Sequence, residues 1–216
     1  MLWPRRLTKE ATAMKMSRKA VLAAIGATTL PLLAAPPASA TSKPGISFEI
    51  VITPMACSSM GFDITSTSEE ARLHLSIGGL TASVGPDVPA KEARKSCKIM
   101  LKPHFSVPST WALKSIDSRG TADLEPEVTG EVTNGYQVQG GPAHETSHTI
   151  NAPTRSWHFE DETPLEFVPC GQARNLNLET RLQVTTTDPA KSGSISLDSP
   201  GGGTTYRLVY KECRSS

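Results

Sequence analysis

The chain reads as all-β, a single disulfide-bonded antiparallel β-sandwich. Three observations predict it: apolar residues recurring at every second position, turn residues between those stretches, and an even number of widely spaced cysteines. Alternation puts apolar side chains on one face of a strand and polar ones on the other. Short stretches of this kind, divided by turn signals and almost free of helix-period runs, are the pattern of a sandwich.

In chain order, residues 1–40 fall outside that pattern. "MSRKAVLAAIGATTLPLLAAPPASA" opens on Arg18 and Lys19, continues as an apolar run from Ala20 to Ala35, and closes on Ala38-Ser39-Ala40. A basic start, a short apolar core and a small-x-small end describe an export signal, cut here after Ala40. The run is shorter than the roughly twenty residues of a transmembrane helix and contains Pro31. Met16 begins the most regular signal, with Met1 and Met14 as the other possible starts. The expected product is residues 41–216, secreted and extracellular, one domain without a membrane anchor. Removing the six basic and one acidic residue of 1–40 from the chain's 22 and 21 leaves 16 basic against 20 acidic. A net charge near −4 argues against nucleic acid as a partner.

The strands expected after the signal are "ISFEIVI" (46–52), "ARLHLSI" (71–77), "CKIMLKPHF" (97–105), "RSWHFE" (155–160), "NLNLETRLQV" (175–184) and "YRLVY" (206–210). Turns are expected at "VGPDVP" (84–89), Asn134-Gly135, "GGP" (140–142), "TTDPAKSG" (186–193) and "SPGGG" (199–203). The one helical candidate is "PAKEARKSC" (89–97), expected as a basic turn or short helix on a loop. Cys57, Cys97, Cys170 and Cys213 read as two disulfides, because an exported chain oxidises its thiols. A four-thiolate zinc site needs cysteines two to four residues apart within a pair, and here the nearest two lie forty apart. Three pairings are possible. Counting strands out, back and out again favours Cys57–Cys97 and Cys170–Cys213. A strand inserted at "SISL" (194–197) would reverse the second count, so the other two pairings stay open.

Three stretches carry a family resemblance: "VGPDVPAKEARKSCKIML" (84–101), "VPCGQARNLNLETRLQV" (168–184) and "YRLVYKEC" (206–213). They resemble domain of unknown function 4360, a secreted family of fungi and bacteria. The first family cysteine usually stands in a Gly-Cys-Pro context, whereas this chain has "ACSSMGF" (56–62). The resemblance implies a secreted, disulfide-bonded β domain and no assigned chemistry.

One motif points elsewhere. His144-Glu145-Thr146-Ser147-His148 matches the H-E-x-x-H of zinc proteases. That motif works on a helix, where i and i+4 share a face about 6 Å apart and both imidazoles reach one ion. On a strand the two lie about 13 Å apart. "GGP" before the motif, the poor helix formers within it and Pro153 after it favour strand or loop. His144 and His148 are therefore expected as polar residues on an exposed strand face, with no metal and no other cofactor. In the resembling family this segment is generally a run of Ser, Thr and Gln.

Weaker constellations remain. Glu160, Asp161, Glu162 and Glu166 within "HFEDETPLEF" (158–167) supply oxygen ligands of the type calcium takes, but read first as a solvated loop. Trp111, Trp157 and Tyr136 are the residues for a sugar-stacking platform, with burial in the sandwich as the rival use. No G-x-S-x-G elbow is present. Two function classes stay open. The favoured one is a non-catalytic extracellular or cell-envelope binding module for a polysaccharide or cell-surface protein. The alternative is a secreted hydrolase, glycosidase-like with paired carboxylates or a zinc protease using HETSH.

Overall fold

Alternating sequence becomes strand wherever one face can be buried. In the computed structural model, which describes residues 45–52, 57, 59–197 and 202–214, β3 (Glu70–Gly78) turns Ala71, Leu73, Leu75 and Ile77 inward. β10 (Leu176–Thr186) does the same with Leu176, Leu178, Leu182 and Val184. Each such side chain contributes about 1.5–3 kcal/mol on full burial. The expected export signal and most of "SPGGG" lie outside the described residues.

Twelve described strands form two antiparallel sheets around one core. The first has the order β1 (Ile46–Ile52), β5 (Arg94–Phe105), β10, β7 (Val128–Val138), β8 (Ala143–Asn151). The second runs β2 (Ser59–Ser66), β3, β12 (Gly203–Glu212), β6 (Ser109–Leu124), β11 (Gly193–Ser196), β4 (Thr81–Val84). β9 (Ser156–Glu162) also pairs with β6. Ser115 to Arg119 of β6 pair with β12 and with β9, while Thr121 pairs with Ser196 of β11 and Ser156 of β9. A strand has only two edges, so β11 extends the line of β12 and β9 occupies the opposite edge.

β6, the longest strand, is among those that alternation does not reveal. Its register against β12 slips between Arg207 and Leu208, so that Ser115 and Leu113 are their partners and Lys114 is skipped. This bulge turns Trp111 and Leu113 inward before it, and Ile116, Ser118, Ala122 and Leu124 inward after it. The period-two pattern breaks in the middle as a result. Its outer residues Thr110 and Ala112 are buried as well; the segment between β9 and β10 crosses them, with the Val168 N–H donating to the Trp111 carbonyl and the Thr110 hydroxyl to that of Val168.

Several expectations are corrected here. Asn134-Gly135 is no turn: both residues sit mid-strand in β7, opposite Thr180 and Glu179. Asn134 is buried and its amide donates to Ser118 Oγ at 2.9 Å. Thr180 Oγ1 donates to Asn134 Oδ1 at 3.2 Å, so a polar network links the two sheets through the core. A type I′ turn needs flanking strands that pair with each other, whereas β7 is wanted by β10 and β8 on either side. At 89–97 the expected turn or short helix is present as a single 3-10 turn, Ala90–Ala93, and β5 begins at Arg94, earlier than the expected strand start at Cys97. "HFEDETPLEF" begins as strand, not loop, with Glu160, Asp161 and Glu162 in β9.

The disulfides join Cys57 to Cys97 and Cys170 to Cys213. The strand count that favoured this pairing assumed partners within one sheet. In the structure Cys57 lies between β1 of one sheet and β2 of the other, and Cys97 faces inward from β5. Cys170 precedes β10 of the first sheet and Cys213 follows β12 of the second.

Candidate functional site

The outer face of the five-stranded sheet carries a trough of about 500 Å³. Its walls and floor are built by register. Glu145 of β8, Gly135 of β7, Glu179 of β10 and Lys98 of β5 stand in one row across four strands. Ala143, Gln137, Asn177 and Met100 form the neighbouring row. Gly135 makes the depression, because it contributes no side chain between two glutamates. A Cβ there would sit 3.4 Å from Glu145 Cγ and 3.7 Å from Glu179 Cβ, ordinary contact distances. Flanking cations hold the walls upright: Arg181 donates to Glu145 at 3.1 Å, and Lys98 pairs with Glu179 at 3.0 Å. The result is an open channel offering carboxylates, carboxamides and an ammonium group, with Met100 as an apolar patch.

The two histidines of HETSH lie on β8, a strand, and each has its own partners. His148 Nε2 meets the Asp161 carboxylate at 2.9 and 3.0 Å, and its ring stacks on Phe159 at 4.1 Å. His144 stacks on Tyr136 at 4.7 Å and lies 3.9 Å from Glu166. They are half-buried rather than exposed, which corrects the expectation of a solvent-facing pair. The reason is their position: β8 and β9 are the edges of the two sheets, and His148 reaches from one edge to Asp161 on the other. Burial pushes the Tyr136 phenol up from its ordinary value. Among the described residues no group of three or more His, Cys, Asp or Glu side chains is arranged to hold a metal ion.

The remaining candidates divide. Trp111 and Trp157 are 1% and 5% exposed, so they belong to the core and present no stacking surface. Of the acidic run, Glu160 pairs with Arg207 at 3.3 Å and Asp161 with His148, so the four carboxylates do not converge on one point. The sequence did not single out the trough residues. Asn134-Gly135 has the local signature of a turn, and Glu145 stands in the middle of a protease motif.

One relative, an uncharacterized secreted protein of Arthroderma benhamiae, is 31% identical over 123 residues, 55% of this chain. The chain spans about half the length of that relative. Among solved structures, the β-1,4-galactotriose complex of TmCBM61 matches over 72% of this chain and 90% of its own, at 6% identity and a TM-score of 0.27. The mannan-recognising carbohydrate-binding module TmCBM27 matches over 80% and 100%, at 10% identity and a TM-score of 0.30. Likeness at such scores decides nothing about a ligand. No helix among the described residues is long and apolar enough to cross a membrane, and the protein is secreted, like its relative. A family model covers residues 55–213, a span that holds both disulfides and every strand but the first, and the chain belongs to the family it describes, Domain of unknown function (DUF4360).

Proposed function

We propose that this protein is a non-catalytic extracellular binding module whose trough takes a strand of polysaccharide. The observation that carries this reading is the trough at Gly135, a channel on a rigid sheet lined by planar polar groups. Carboxylates accept from pairs of sugar hydroxyls, and carboxamides both donate to and accept from them. The channel is open along the sheet, which suits a polymer better than an enclosed small molecule. Recognition here is polar, since the tryptophans are buried. The module reaches the outside of the cell through the signal of residues 1–40, and N-terminal sequencing of the secreted form should begin at Thr41.

Gly135→Gln tests the trough. The added side chain has room at its Cβ and fills the floor without disturbing the core. Wild-type protein is expected to be retained on one of insoluble chitin, cellulose or peptidoglycan. The variant should pass through at an unchanged melting temperature. Retention of both proteins alike, or of wild type on host-cell protein alone, would sink the reading. A second reading has one observation in its favour: Glu145 and Glu179 stand two strand spacings apart, about 9–10 Å, near the upper separation for an inverting glycosidase. Each carboxylate is engaged by a cation, whereas hydrolysis needs one of them to carry a proton. Release of reducing ends, abolished by Glu145→Gln or Glu179→Gln, would move the assignment to that reading.

A further inference from the structure

We infer that the outer face of the other, seven-stranded sheet carries a pocket for an oxyanion: the carboxylate, sulfate or phosphate group of an acidic ligand. The pocket has a volume of about 190 Å³. That is below the roughly 300 Å³ at which sites begin to enclose a whole small molecule, so it fits one charged group of something larger.

Three guanidinium groups line it. Arg72 of β3 and Arg207 of β12 are direct cross-strand partners, and Arg119 of β6 lies opposite Gly203. Like charges directly opposite one another destabilise a sheet unless a counter-charge sits between them. Among the described residues the Arg72 side chain makes no hydrogen bond or ion pair; the Glu70 carboxylate feels both Arg72 and Arg207 but is held by Lys114 at 2.8 Å. Arg207 spends Nη1 on Glu160, while its Nε is buried with no hydrogen-bond partner. A buried donor left unmatched is costly, and an arginine edge is shaped for the two oxygens of an oxyanion.

Gly203 opens the floor. Its φ is +136°, and a Cβ would lie 2.3 Å from the Leu75 carbonyl oxygen and 3.1 Å from His74 Cε1. No other residue fits there. Thr205 holds His74 by a 2.9 Å hydrogen bond to Nδ1 and adds a hydroxyl to the lining. The one lining acid, Asp117, is committed to Arg119, so it offsets that guanidinium and leaves Arg72 and Arg207 as the pocket's cationic edge. It is 4% exposed, takes the Arg119 fork at 3.0 and 3.1 Å, and receives His158 at 2.9 Å. Burial raises its pKa, but those two partners outweigh the burial and hold it below the ordinary aspartate value. Glu160, and the exposed Asp63 opposite His74 on β2, stand at the rim.

The test is an NMR titration of the secreted protein with sodium sulfate, inorganic phosphate or glucuronate, each against sodium chloride at matched ionic strength. Saturable shifts are expected at the amides of His74, Thr205 and Arg207 in at least one arm. Saturation by glucuronate alone identifies a carboxylate ligand, and saturation by sulfate or phosphate identifies an ester of that acid. Arg72→Gln should weaken binding about tenfold or more, equivalent to the loss of one charge-assisted contact. It should leave the fold intact, because Arg72 is exposed; Arg207→Gln supplies the second variant. Gly135→Gln should bind the anion as wild type does, which separates this pocket from the trough on the opposite face. No saturable shift in any arm, or wild-type affinity in both arginine variants, overturns the proposal.

Discussion

Reduction of both disulfides is expected to lower the melting temperature by about 10 °C for each bridge. Cys57–Cys97 and Cys170–Cys213 close loops with separations of 40 and 43 residues. In the chain-entropy model each restricts the unfolded chain by about 3–4 kcal/mol, and a domain of this size loses about 2–4 °C per kcal/mol. The two bridges should not reduce together. Cys57 and Cys97 are 1% and 3% exposed, so a reductant reaches them only through unfolding. Cys170 is exposed and Cys213 partly so, and that bridge should open first, under native conditions. Its loss frees the segment between β9 and β10, which is otherwise held by backbone bonds such as Val168 to Trp111 and Gly171 to Ser109. Thiol labelling against time, followed by melting of the partly and fully reduced forms, reads both steps. Unchanged melting after full reduction would mean the bridges do not support the fold, and a peptide linking Cys57 to Cys170 or Cys213 would refute the pairing.

Gly120→Ala should destabilise the protein by about 3 kcal/mol or more, near or beyond the upper end for overpacking. Gly120 lies in β6 between β9 and β11, directly opposite Trp157. A Cβ there would come within 2.1 Å of the Ser196 carbonyl oxygen and 2.3 Å of Trp157 Cζ2. The indole is fixed, since its Nε1–H donates to the Thr121 carbonyl at 3.1 Å and its ring packs in the core. Backbone on one side and a held ring on the other leave nowhere for a methyl group. Adding Trp157→Phe to Gly120→Ala should recover only part of the loss, because the Ser196 carbonyl remains. Chemical denaturation of the single and double variants measures this. A Gly120→Ala protein within 1 kcal/mol of wild type would mean that β6, β9 and β11 are not arranged as described.

The residues alone determine the class of fold. β3, β10 and β12 read correctly because each buries one face, and alternation is the direct record of that burial. The widely spaced cysteines read correctly for a related reason: their separation excludes a compact zinc site, whatever they pair with. Tertiary structure decided the rest. β6 was illegible because a bulge at Lys114 breaks its period and the segment between β9 and β10 covers its outer residues, so burial left no two-residue rhythm. Asn134-Gly135 carries the local signature of a turn, yet the strands on either side of β7 claim its backbone hydrogen bonds, and an inter-sheet network satisfies the Asn134 side chain. Counting strands as if in one sheet favours the observed disulfide pairing, yet β10 and β12 lie in different sheets and Cys57 lies in the connection between the two; sequence order does not encode which sheet a strand joins. Both proposed sites arise the same way. Glu145 and Glu179 lie 34 residues apart in sequence, and Arg72 and Arg207 lie 135 apart; strand register alone brings each pair together, through backbone bonds that any residue but proline can make.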